Sequence, residues 1–259
     1  MFRLQQGRFY RRPASITGKG AYGGSGGGSD SFRRAPDSSR FGTSFEKAKW
    51  TIFTIIGMNG AVYLLWGYAS NLARMEGNLE MFNMMKHNFT SSLENYRCGY
   101  YWSVLTSSFS HKDFLHLGVN MVGLYSFGLP VAQLLGVAPF MGIYLLSCLA
   151  SSTVSLVANK VRESSGSHPM IAQHSSLGAS GGVLGIMAIA AMVYPSAKVM
   201  VMFVIPVSCR TAIFGLFGFD VYNMFTNSAN IIDSAGHLGG TITGFGFWWI
   251  FLRKFLRIS

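Results

Sequence analysis

The chain has 259 residues, of which 49% are hydrophobic and only 12% charged, and it carries a formal net charge of +11. A water-soluble domain carries roughly 25% charged residues, so this composition argues against a soluble globular enzyme. The apolar residues come in runs of about 18 to 22, long enough to cross a bilayer, and the expected fold class is an all-α, polytopic membrane protein.

Residues 1–49 hold ten basic and three acidic residues, a net of +7, and the first acid is Asp30. An arginine-rich, serine-containing start that is poor in acids reads as a mitochondrial transit peptide. The alternatives are a basic cytoplasmic tail and a nucleic-acid arm. No folded binding module follows, so no nucleic-acid partner is expected. A secretory signal fits poorly, because no apolar run follows the early arginines. Residues 14–44 are rich in Gly and Ser around Gly23–Gly28. They cannot bury enough apolar surface to fold and are expected to form a flexible linker. The division expected is a tail over 1–49 and a membrane domain over 50–259.

The first span is predicted over Trp50–Ser70. A connection from Asn71 to Asp113 follows. Leu72, Met75, Leu79, Phe82 and Met85 recur there at helical spacing, and Tyr100, Tyr101 and Trp102 cluster later. A connection this long is usually functional, and its aromatics suit a segment half-sunk at the membrane interface. A surface hairpin is the other reading. Further spans are predicted over 114–135, 138–158, 177–195, 200–225 and 231–252. Pro206 interrupts the fifth, and Arg210 and Asp220 lie near its ends or within it, so its membrane part is expected to start near Thr211.

Six spans put the basic tail, Lys198 and the basic carboxyl end (Arg253, Lys254, Arg257) on one side. Basic residues near span ends favour the inside. Cys98, Cys148 and Cys209 show neither metal spacing nor a disulfide framework.

Four polar groups stand in or beside apolar spans: His116, Asn120, Ser180 and His237. Such groups are costly in hydrocarbon and mark function. His116 and Asn120 are spaced i, i+4 and share a helix face. Ser180 opens its span in Gly-Ala-Ser-Gly-Gly, and His237 sits in Ala-Gly-His-Leu-Gly-Gly. A hydroxyl within reach of an imidazole makes a nucleophile and its base. Ser180 can attack and His237 can take its proton, while His116, Asn120 and the Ser180 amide can donate to an oxyanion.

No acid stands out as the orienting partner of His237. Asp233, four residues upstream, could equally face the membrane edge, so a Ser–His dyad is expected. Gly178 and Gly182, with Gly181 and Gly185, form small-xxx-small pairs. Gly236, Gly240 and Gly244 form a matching strip, and close contact between the two helices would join Ser180 to His237. Taken singly, a serine in a glycine-rich span is usually packing, and a histidine there can be a proton or ion site. The combination and order are far more specific.

These motifs resemble the rhomboid family of intramembrane serine proteases over about residues 50–252. The carriers are His111-Lys-Asp-Phe-Leu-His116-Leu-Gly-Val-Asn120, Gly178-Ala-Ser180-Gly-Gly182, and His237-Leu-Gly-Gly240 with Gly244 one turn on. The resemblance implies Ser180 as nucleophile, His237 as base, and His116 and Asn120 as oxyanion donors. Leu-Thr-Ser-Ser-Phe-Ser-His-Lys, with the basic tail, resembles the mitochondrial branch. Two departures stand out. Tyr101-Trp102-Ser103 occupies the region where many bacterial members carry Trp-Arg. Leu184 replaces a tyrosine that packs on the histidine in many members. Mitochondrial members often have an extra span before the six-span core, and none is read in residues 1–49.

The resemblance implies a serine endopeptidase of the mitochondrial inner membrane. It would cleave single-span membrane proteins in or near their transmembrane segments, with no metal or cofactor. Substrates and the lipid bilayer are the expected partners. The rival functions are a catalytically silent rhomboid-like binder of membrane helices, and a transporter or channel.

Overall fold

The computed structural model describes residues 43–166, 175–201, 204–226 and 233–254. The predicted transit peptide and Gly/Ser linker, up to residue 42, and Arg257 lie outside these. The described residues are mostly helical.

Helix α1 runs Phe45–Met75, capped by Ser44, whose hydroxyl accepts from the Lys47 amide. It therefore begins before the predicted Trp50. Gly77, at φ 67°, turns the chain after it. That turn divides the stripe of residues 72–85 between α1 and the next helix, α2 (Glu80–Phe89). Phe82 and Met85 pack back on Val62, Trp66 and Ala69 of α1. The later aromatics Tyr96, Tyr101 and Trp102 are each more than half exposed. Short helices α3 (Leu93–Arg97) and α4 (Ser103–Thr106) complete the connection. It is tied down by Trp66, whose indole N–H donates to Ser110 Oγ at 2.6 Å, and by Arg97, whose guanidinium reaches both oxygens of Glu163.

Helix α5 covers Phe114–Leu135, with a π turn at Leu124–Gly128 in its middle. Gly136, at φ 86°, breaks it from α6 (Val137–Ser164). By length and composition α1, α5 and α6 can each cross a membrane. Helix α7 (Ser180–Val193) is shorter, at 14 residues. Then come a hairpin of β1 (Lys198–Val201) with β2 (Ile205–Ser208), helix α8 (Cys209–Phe225), and α9 (Ser234–Phe247), which runs on into a π turn at Trp248–Leu252.

Helical segments thus stand at all six predicted positions, but the fifth begins at Cys209. Lys198–Val201 pairs antiparallel with Ile205–Ser208, Val199 opposite Val207. Pro206 has no N–H and cannot continue a helix, and Ser208 caps α8 by accepting from the Thr211 amide.

Helix α7 is the hub. Every residue from Gly181 to Ala191 is buried, which requires neighbours on all sides and explains why this helix is apolar all round. Its 14 residues span about 21 Å by helix rise, against roughly 30 Å of hydrocarbon.

Candidate active site

The packing that positions the site is nearly free of side chains. A Cβ on Gly240 of α9 would overlap the carbonyl oxygen of Gly181 in α7, and one on Gly244 would overlap that of Gly185. The two helices meet backbone to backbone, which only glycine permits. Gly182 takes a different neighbour from the one its spacing suggested. It faces α6, where a Cβ would lie 2.6 Å from Cys148 Sγ and 2.7 Å from the Tyr144 ring. Gly181 and Gly185 offer their backbones to α9, while their own Cβ positions also meet α6, at Ser151 and Ser147.

Gly178 precedes the helix. At φ 127° it holds a conformation that L side chains rarely adopt, and a Cβ there would come within 2.8 Å of the His116 ring. The turn is fixed from two sides. The Gly178 amide donates to Ser107 O at 2.9 Å, and the Ala179 amide donates to His111 Nε2 at 3.3 Å. Accepting that hydrogen bond requires a neutral His111. Its complete burial, and secondarily the neighbouring His116 ring, push the imidazole down to about 3.

This turn presents Ser180 as the first residue of α7. Its Oγ lies 3.0 Å from Nε2 of His237. The other ring nitrogen, Nδ1, lies 3.2 Å from Oδ1 of Asp220. Asp220 is buried on α8, facing α9. A carboxylate only accepts, so Nδ1 carries the proton and Nε2 presents its lone pair to the serine hydroxyl.

The arrangement is therefore three residues in series, where the sequence suggested two. The signal for Asp220 was an acid three turns inside an apolar helix. Pro206 and Arg210 obscured it by blurring where that helix begins. Asp233, the acid considered from sequence, is engaged elsewhere. It caps α9 by accepting from the Gly236 amide at 2.9 Å, and it accepts from the Ser176 hydroxyl.

The proposed oxyanion donors lie on α5. The His116 ring packs against Gly178, two residues before the serine. Asn120 is buried, and its amide nitrogen donates to His116 O at 2.9 Å. No hydrogen bond joins Asn120 to Ser180. The amides of Ser180, Gly181 and Gly182 fall in the first turn of α7, where N–H groups have no intrahelical acceptor. Among the described residues no group of three or more His, Cys, Asp or Glu side chains is arranged to hold a metal ion.

Comparison with known proteins identifies the family. A family model described as a Rhomboid domain matches residues 99–254. The chain is 29% identical over 199 residues to "Rhomboid protein 1, mitochondrial" of Saccharomyces cerevisiae, covering 76% of this chain and 52% of that one. It is 30% identical over 211 residues to "RHOMBOID-like protein 12, mitochondrial" of Arabidopsis thaliana, covering 78% and 58%. It is 28% identical over 210 residues to "Presenilin-associated rhomboid-like protein, mitochondrial" of Rattus norvegicus, covering 80% and 49%. The chain spans about half the length of these relatives.

Proposed function

The chain belongs to the rhomboid family, and from that premise we propose that it is an intramembrane serine endopeptidase whose nucleophile is Ser180. The observation that carries this is the series Ser180 Oγ, His237 Nε2, His237 Nδ1 and Asp220, with links of 3.0 Å and 3.2 Å. Three relatives carry the word mitochondrial in their names. With the acid-poor, arginine-rich start of the chain, this supports placement in the mitochondrial inner membrane. Membrane proteins with one span are the proposed substrates.

The chemistry follows from the geometry. Ser180 Oγ attacks the carbonyl carbon of the scissile peptide as its proton passes to Nε2 of His237. Asp220 holds Nδ1–H, fixes the tautomer and stabilises the imidazolium that forms. The negative charge on the former carbonyl oxygen is met by the Ser180 amide and by donors from His116 and Asn120. Collapse of the tetrahedral species breaks the C–N bond, and His237 gives its proton to the leaving amine. Water then enters, loses a proton to His237, and hydrolyses the acyl-serine. Ser180 and His237 are half-buried at the end of a helix whose next eleven residues are buried, which leaves water a path to the serine.

The test is covalent labelling of the detergent-solubilised protein by a fluorophosphonate. Labelling of the wild type that disappears in Ser180→Ala is the expected result. A wild type that takes no label would leave a silent binder of membrane helices as the better reading.

A further inference from the structure

Resting on the serine-protease mechanism, we infer that Ser176 and Asp233 form a clasp that fixes the spacing between Ser180 and His237, which makes both of them positioning residues. Each lies four residues upstream of the group it serves. The Ser176 hydroxyl donates to Oδ2 of Asp233. The other carboxylate oxygen accepts from the Gly236 amide at 2.9 Å, and the Asp233 carbonyl accepts from the His237 amide at 3.0 Å. Asp233 thus belongs rigidly to the first turn of α9.

Ser176 is held just as firmly from the other side. Its amide and its carbonyl exchange hydrogen bonds with Ser91, both 2.8 Å long, as an antiparallel bridge. One residue therefore joins the first long connection, the lead-in to the serine and the cap of the histidine helix.

The placement of the clasp gives it mechanical value. Below the catalytic pair, α7 and α9 touch through Gly181 and Gly240. Both glycine contacts, Gly181 with Gly240 and Gly185 with Gly244, lie on one side of the pair, so the ends that carry Ser180 and His237 can splay, and a splay changes the Ser180–His237 distance. The clasp lies on the opposite side of the pair in chain order, before both residues, and removes that freedom. The hydrogen bonds from the Gly178 and Ala179 amides keep the intervening turn stiff, so a shift at Ser176 reaches Ser180.

Four variants test this. Ser176→Ala removes the clasp and leaves the helix cap. Asp233→Asn keeps an oxygen for the Gly236 amide but replaces the charge-assisted bond to Ser176 with a weaker one, an amide donating to the hydroxyl. Because a misplacement of about 1 Å can cost roughly 10²-fold, each should lower kcat on the order of 10- to 100-fold with KM nearly unchanged. The double variant should be no worse than either single, since both remove one interaction. Ser176→Thr keeps the hydroxyl and should stay within about twofold of wild type.

Independently of turnover, hydrogen exchange at the Gly236 amide should speed up in Ser176→Ala. Losses that multiply in the double variant, a loss confined to KM, or unchanged exchange at Gly236 would each overturn the clasp. A wild type unreactive toward fluorophosphonate would instead overturn the protease mechanism, and the exchange measurement would still decide whether the clasp exists.

Discussion

The carboxylate of Asp220 lies 3.2 Å from Nδ1 of His237, across the ring from the nitrogen that faces Ser180. Leu184, one turn into α7 from the serine, is buried and aliphatic, so it offers the imidazole no hydrogen bond and no aromatic face. The carboxylate supplies orientation and charge together. Asp220→Asn keeps the size but puts an amide donor within reach of Nδ1 and favours the wrong tautomer. Its kcat should fall by about 10²- to 10⁴-fold, the range of general acid–base assistance. Fluorophosphonate labelling should slow in parallel, and a variant that labels at the wild-type rate would remove Asp220 from the mechanism.

Ser180→Ala should abolish both peptide cleavage and labelling while leaving thermal stability close to wild type, since alanine is smaller than serine at a packed helix start. His237→Ala should be nearly as inactive, and the double variant no worse than either, because the members of a catalytic unit are not additive. Cleavage assays on the three purified proteins check this.

Asn120→Ala should lower kcat on the order of 10²- to 10³-fold, the usual effect of losing one oxyanion donor. KM should change little. A rise in KM with kcat intact would make Asn120 a substrate contact instead.

Gly240→Leu should inactivate the enzyme, because even a Cβ there overlaps the Gly181 carbonyl. Gly246, on the same helix, has nothing within 4 Å of its Cβ position. Gly246→Ala is therefore the control, and it should keep full activity. Equal activity in both variants would show that α7 and α9 do not meet at Gly240.

His111 gives a pH prediction. Its imidazole is pushed down to about 3 in the fold, below the ordinary histidine value of about 6.5 in the unfolded chain. The depressed value means that this stability is complete above about 6.5 and is lost as pH falls toward 3. Thermal midpoints measured across that window should fall more steeply for wild type than for His111→Gln. Parallel curves would show that the buried ring does not couple to folding.

The helical class, and the serine and histidine whose side chains meet at 3.0 Å, were legible in the sequence because each has a local signature. Apolar runs mark spans, and a polar group between glycines in such a run stands out. The start of α8 was legible to within two residues, Thr211 expected against Cys209 observed, but the strands before it were not. A short hairpin with alternating apolar residues (Val199, Val201, Val207) reads as more of the same apolar run, and only the pairing of Val199 with Val207 separates it from the helix. Asp220 was visible as a residue but not as a partner, since its role depends on how α8 rotates toward α9. Ser176 carries no sequence signal at all. Its importance comes from meeting Ser91 and Asp233, which are 85 and 57 positions away.

An interface built from glycine and carbonyl oxygens has no rotamers. Where most protein contacts can absorb a small insult by letting a side chain swing aside, the seam between α7 and α9 has nothing that can swing. Any bulk introduced there must move a whole helix. Room for adaptation lies instead on α5 and α8, whose Phe114, Val119 and Phe219 are exposed. A change of substrate preference would be sought among those residues, with the catalytic spacing left as it is.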